Sequence, residues 1–383
     1  MLVEQPLSDH FRGFAAVAER DGGTTYPAIC RGVADDQEVL SLLDRATLPQ
    51  RRPLILLASV HYLLLSGTAH PLAAFYDTVR AVRGSGVEEP PVGQDPTPAF
   101  RDFCHQHRRE LEELIATRST QTNEVGRCTG LLPGLCHIAA GYGWDVPLSL
   151  LDLGTSAGLN LRFDDYAYTY RGPAGGPAVE AGRPDSRVQL ACESRDDVTA
   201  LPELRPPTMA ERVGLDLSPI DPFSDDDARW LLACQWPDNP VRFGRLRAAL
   251  DNARAADDPP RLVQGDMVRD LTGVVASMPG DNPLVVFHSW VAAYLDEEAQ
   301  GALARAVRAL SQNRAVHYLY CESPFETPGL PTPPSPVPRE GPDLATTLVH
   351  APPGGEAVRL ADTHPHGYWI RWWPAGEVRP ASA

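Results

Sequence analysis

The stretch that most constrains this chain is Val146–Asn160, V-P-L-S-L-L-D-L-G-T-S-A-G-L-N. An apolar run, Leu148–Leu151, leads into Asp152. A turn of small residues follows, Gly154-Thr155-Ser156-Ala157-Gly158, and then a helix-like segment. Strand, small-residue turn and helix in that order predict the ligand loop of an α/β fold. Glycine lets a backbone turn sharply and approach a ligand, and a helix N-terminus offers free N–H groups.

The pattern changes across this turn. Before it, Phe11, Phe14, Ala15, Val17 and Ala18 recur at helical spacing, as do Leu40, Leu42 and Leu43. Pro53–Leu65 is apolar but interrupted by His61, and it is too short to span a bilayer, so it predicts a buried helix. Helix is expected again from Ala99 through R-R-E-L-E-E-L-I-A, and in T-N-E-V-G-R-C-T-G-L-L-P-G-L-C-H-I-A-A. No strand is expected before residue 146.

Beyond the turn, Val188–Cys192, Arg212–Leu215, Arg261–Val263, Leu284–Phe287 and Val316–Tyr320 suit buried strands. Thr346–His350, Ala357–Leu360 and Tyr368–Trp373 predict a terminal β meander. Helices are expected at Asp226–Cys234, Arg242–Arg254 and Glu297–Leu310. Arg171–Ser186 reads as a Gly/Pro loop, and Pro324–Pro338, with seven prolines, as a loop or lid. The expectation is a helical domain over 1–145, then an α/β, Rossmann-like, mostly parallel sheet domain over 146–383, with an insertion at about 166–210.

Composition removes several chemistries. All 34 basic residues are arginine, which excludes a lysine Schiff base, a P-loop lysine and a Ser-x-x-Lys nucleophile. The seven cysteines are scattered with no C-x-x-C pair, against a zinc cage or a disulfide framework, so no metal site is expected. A net charge of −16 disfavours a nucleic-acid partner. The N-terminal M-L-V-E-Q-P-L-S-D-H lacks a basic-then-apolar signal, and reduced thiols fit a cytoplasmic, membrane-free protein.

The glycine turn admits three readings. One is a purely structural turn. G-T-S-A-G also matches the G-x-S-x-G elbow of α/β-hydrolases, with Ser156 as nucleophile, but such an elbow needs several strands before it. D-x-G-x-x-x-G resembles motif one of class I S-adenosylmethionine-dependent methyltransferases, with Ser156 in place of the usual middle glycine. That resemblance implies that Asp152, Gly154, Ser156 and Gly158 pass under the methionine part of the cofactor. It implies that Asp216, closing V-G-L-D, accepts the ribose hydroxyls. Asp216 lies 58 residues past Gly158, against ~20 in a simple fingerprint; Glu193 is its rival. Asp266 of Q-G-D-M would face the adenine amino group.

Strand ends of α/β sheets place side chains at the ligand crevice. His288 of F-H-S-W is therefore a candidate general base, with Glu322 of C-E-S-P in the same crevice, and Trp290 and Tyr294 as walls of a small-molecule pocket. The opposing reading is a satisfied structural histidine beside core aromatics. H-P-H-G-Y-W (364–369) has metal-like spacing but no nearby acid or cysteine, so a turn is expected. T-Q-T-N-E (120–124) reads as a helix cap or as a polar group reaching the site. Through T-N-E-V-G-R, D-L-G-T-S-A-G-L-N-L, G-L-D-L-S-P-I-D, W-P-D-N-P-V-R and F-H-S-W, the whole chain resembles an uncharacterised bacterial family, domain of unknown function 2332. The functional expectation is methyl transfer from S-adenosylmethionine to a small molecule. The alternatives are a serine hydrolase and a non-catalytic binding protein that retains the fold.

Overall fold

A computed structural model describes residues 6–336 and 345–373. The described residues form two compact units, one within 6–122 and 221–247, the other within 123–220, 248–336 and 345–373.

The first unit is helical, and its centre is the helix Pro53–Leu65, buried along most of its length. Burying a polar side chain there requires partners. His61 meets that demand: Nδ1 lies 3.0 Å from the Ala233 carbonyl and 3.2 Å from that of Gln235, and Nε2 lies 2.8 Å from Thr78 Oγ1. Burial pushes its pKa down to about 4. The Asp225–Ala233 segment is thereby tied into this unit, with Trp230 Nε1 donating to Ser119 O. The helix expected to run on from Ala99 is two, Thr97–Gln106 and Arg108–Thr117, broken at His107.

The second unit is built on one sheet. Its strands are β1 (Leu148–Leu153), β2 (Ala167–Arg171), β3 (Ala178–Gly182), β4 (Gln189–Ser194), β5 (Met209–Asp216), β6 (Arg261–Gln264), β7 (Leu284–Ser289), β8 (Val316–Glu322), β9 (Thr346–Ala351), β10 (Val358–Thr363) and β11 (Trp369–Trp372). Their order is β3-β2-β4-β11-β10-β9-β8-β7-β1-β5-β6. Six of the ten pairings are parallel, including the whole block β8-β7-β1-β5-β6. The fold is therefore mixed α/β with a large, mostly parallel sheet. β1 and β7 are buried almost end to end, as strands covered on both faces must be, and this is why they read as continuous apolar runs.

Among the described residues no strand precedes β1, and the last three strands form the expected meander. Two expectations are corrected. The Gly/Pro stretch 171–186 contains β3, an edge strand whose mostly half-exposed residues carry no apolar alternation; it pairs antiparallel with β2 from Ala167↔Gly182 to Arg171↔Ala178. The segment after the glycine turn is not an α-helix but a 3-10 stretch, Leu159–Asp165, interrupted at Arg162. Of the proline-rich segment, residues 337 and 338 lie outside the described residues. No helix among the described residues is long and apolar enough to cross a membrane.

The helix Cys128–Ala140 lies on this sheet at close range. A Cβ at Gly130 would stand 3.2 Å from Thr363 Cγ2, and one at Gly134 would stand 3.1 Å from Leu319 Cδ1. At the junction of β8 and β9, His317 Nδ1 and His350 Nε2 are 2.9 Å apart, Tyr142 OH is 2.8 Å from His317 Nε2, and the His137 ring is 5.6 Å from that of His350. Burial, aided by the neighbouring imidazoles, depresses His317 to about 4 and His350 to about 3, and burial lowers His137. Imidazoles freed by unfolding titrate near ~6.5. The cluster's contribution is therefore fully present above that pH and is lost as pH falls toward the folded values. Thermal melts from pH 7 down to pH 4 are expected to show a falling Tm, and His350→Gln should flatten that slope. An unchanged slope in the variant would remove the cluster from the account.

Candidate functional site

The parallel block fixes where a ligand crevice can form. After β1 the chain builds β2, β3 and β4 at the far edge, returns to β5 and β6 on one side of β1, then crosses back to β7 and β8 on the other. β1 and β7 thus flank the point where strand order reverses, and ligands of open α/β sheets bind outside the carboxyl ends of strands at such a point. In register, Asp152 stands opposite Gly214 of β5 and Phe287 of β7.

The glycine loop is held there by its own bonds. Gly154 and Gly158 take φ of +72° and +70°, a conformation that costs other residues a Cβ clash. Protein already fills the space a Cβ would need: Val291 Cγ2 would lie 2.3 Å from one at Gly154, and Leu262 Cδ2 3.0 Å from one at Gly158. Thr155 Oγ1 donates to Asp152 Oδ2 at 2.9 Å, and its side chain occupies the space above Gly214. Asp152 is buried, and burial first of all, with the charge of Asp216 adding, raises its pKa to about 8 against the opposing Thr155 bond and Arg127.

Asp216, at the end of β5, is half-buried and accepts two backbone N–H groups, Ser156 on Oδ2 and Ser218 on Oδ1, both at 2.8 Å. Each oxygen retains a further lone pair. Its rival Glu193 sits in β4 opposite Arg171 and Trp369, away from the parallel block. Asp266, just past β6, accepts Val268 N and Arg269 N on Oδ1, and the Arg269 N–H leads the causes that lower its pKa. Acids thus stand at or just beyond the ends of three neighbouring strands, β1, β5 and β6.

His288 and Glu322 are brought together at the ends of β7 and β8. His288 Nδ1 is 2.6 Å from Glu322 Oε1, and Nε2 is 2.8 Å from Tyr318 OH. The ring stacks on Tyr320 at 5.6 Å. Glu322 Oε1 also accepts Val291 N at 3.0 Å and Ala292 N at 3.2 Å. His288 and Glu322 are both buried, with both imidazole nitrogens committed. Tyr294, by contrast, is 79% exposed on a single 3-10 turn and is not brought to that pair.

Of the other sequence candidates, Glu124 is a cap, its Oε1 accepting Gly126 N, and Asn123 Nδ2 reaches the glycine loop at Thr155 O. His364 and His366 belong to a turn closed by Gly367 N donating to His364 O. Among the described residues no three His, Cys, Asp or Glu side chains gather as a metal-ligand set. Sequence reasoning missed Arg127. It donates to the Ser289 and Pro365 carbonyls, and its guanidinium lies 5.9 Å from the Trp290 ring centroid. Its signal was its place in T-N-E-V-G-R.

Solved structures similar to this chain include an S-adenosylmethionine-dependent methyltransferase from Clostridium acetobutylicum ATCC 824, at 10% identity over 72% of this chain and 82% of that one, with a TM-score of 0.23. Streptomyces venezuelae DesVI aligns at 15% identity over 67% and 78%, TM-score 0.20. The sugar N-methyltransferase KedS8 from Streptoalloteichus sp ATCC 53650 aligns at 12% identity over 77% and 85%, TM-score 0.22. No curated protein matches the sequence. The family model described as "Uncharacterized protein conserved in bacteria (DUF2332)" matches residues 8–372, nearly the whole length, and the chain belongs to that family.

Proposed function

We propose that this protein transfers a methyl group from S-adenosylmethionine to a small-molecule acceptor. The observation that carries the reading is the convergence at the strand-order reversal: a left-handed glycine loop after β1, flanked by Asp152, Asp216 and Asp266. The residues fit the cofactor. Asp216 keeps unused lone pairs on a half-buried carboxylate, suited to a pair of ribose hydroxyls, and Asp266 stands beyond the next strand for the adenine amino group. Asp152 fixes the loop by accepting from Thr155. When bound, S-adenosylmethionine supplies an electrophilic methyl group. The chain's own contribution is then to hold and align, which is where the rate of such a transfer largely comes from. The net charge of −16 suits a small-molecule acceptor better than a nucleic acid. Titration calorimetry with S-adenosylhomocysteine tests the reading. Absence of both heat and a thermal shift at millimolar ligand would refute it, leaving a fold without that activity.

The literal G-T-S-A-G and the left-handed Ser156, φ +53°, favour a second reading as a serine hydrolase. Against it, the described residues supply no strand before β1. A fluorophosphonate probe is expected to leave Ser156 unmodified by mass spectrometry; stoichiometric labelling there would reverse the order of the two readings.

A further inference from the structure

The second unit carries a cavity at the end of its sheet remote from the glycine loop. Its volume is about 490 Å³, inside the ~300–1,000 Å³ range of small-molecule sites. Val316, the first residue of β8, lines it with Tyr318, and so does Ala351, which ends β9 opposite Tyr318. β8 runs parallel to β7, and β7 to β1, whose carboxyl end carries the glycine loop. The space at Val316 is therefore at the amino end of this block.

The sequence explains why the space stays open. Ala304, Ala351 and Ala357 pack half-buried against the core at its lining, where longer apolar side chains would fill it. Its proline wall is fastened in place. Tyr320 OH donates to Pro331 O at 2.6 Å, and Arg359 Nε and Nη2 donate to Pro333 O at 3.2 and 3.0 Å. Asp362 Oδ1 in turn accepts Arg359 Nη1 at 2.6 Å. Ser311 Oγ donates to Val316 O at 3.2 Å and ties the end of the helix Glu297–Leu310 to β8. A site built before its ligand arrives loses less conformational freedom on binding.

Two opposite charges share the lining: Arg308, from the last turn of that helix, and Glu356, from the turn between β9 and β10. Both are exposed, and neither side chain makes an ion pair or hydrogen bond with another described residue. An anion drawn to Arg308 would be repelled by Glu356, and a cation drawn to Glu356 would be repelled by Arg308. A molecule carrying one charge of each sign on an apolar body answers both side chains and the apolar lining together.

We propose that this cavity binds a small zwitterion with an apolar body, its carboxylate on Arg308 and its ammonium group on Glu356. The site is distinct from the crevice at the glycine loop and does not rest on the methyltransferase reading.

Saturation-transfer NMR on the full-length protein tests it, because weak binding is read from the ligand's own signals. One probe is L-phenylalanine, whose two charged groups sit on the same carbon. The other is 6-aminohexanoate, which carries them at opposite ends. At least one is expected to saturate. Its singly charged analogues, N-acetyl-phenylalanine and phenylalaninamide or hexanoate and hexylamine, should bind roughly fivefold more weakly, the upper end for an exposed ion pair. Arg308→Gln should weaken the zwitterion by a similar factor without weakening the amide or amine. Glu356→Gln should weaken it likewise without weakening the N-acetyl compound or hexanoate. Both side chains are exposed, so both variants should fold. Ala304→Leu, which puts a larger side chain into the lining, should weaken every probe that binds. Neither zwitterion saturating would overturn the site. So would analogues that bind as tightly as the zwitterion, or Arg308→Gln and Glu356→Gln variants that bind it as tightly as the parent.

Discussion

Asp216→Ala is expected to weaken S-adenosylhomocysteine binding roughly ten- to a hundredfold, since charge-assisted hydrogen bonds contribute ~1.5–3 kcal/mol and ~1.4 kcal/mol is a factor of ten. Two losses combine. The ribose hydroxyls lose their acceptor, and the loop loses its tie, because the same carboxylate receives Ser156 N and Ser218 N. The tie is local and half-exposed, so the melting temperature should fall far less than affinity does. Calorimetry on the wild type and the variant, with a thermal melt of each, separates the two effects. Equal affinity in both proteins would take Asp216 out of the cofactor site while leaving the loop assignment open to test at Asp266.

Gly154→Ala is expected to destabilise the protein itself. The new Cβ would sit 2.3 Å from Val291 Cγ2 at a φ of +72°, so overpacking of ~1–3 kcal/mol adds to a left-handed penalty of ~1–2 kcal/mol, roughly 3 kcal/mol together. For a unit of this size that is a fall in Tm of roughly 6–12 °C. Val291→Ala in the same chain should recover part of the loss, because it removes the closest atom but leaves Val291 Cβ at 2.9 Å and the backbone strain untouched. Additive losses in the double variant would show that the clash is relieved elsewhere. The glycine is thus required by packing against the turn after β7, whatever ligand the loop meets, and loss of binding in this variant would not by itself identify a ligand contact.

What the sequence by itself determined follows from local pattern. Apolar runs bounded by turn residues marked β1, β7 and β8, because strands buried on both faces need no alternation. Helical spacing marked the helices before residue 146, and the glycines of 154–158 marked a loop with left-handed turns. Edge strand β3 escaped because half-exposed residues among glycines carry no pattern. Only the tertiary structure decided the rest. Strand order put Asp216, not Glu193, beside the loop. The pairing of β7 with β8 brought His288 onto Glu322 and committed both imidazole nitrogens, where sequence left a general base and a satisfied structural histidine both open. The same pairing fixed Trp290 left-handed, and packing placed Val291 in the space of the missing Gly154 side chain. These contacts join residues far apart in the chain through register and packing, and neither is written in the periodicity of any one segment.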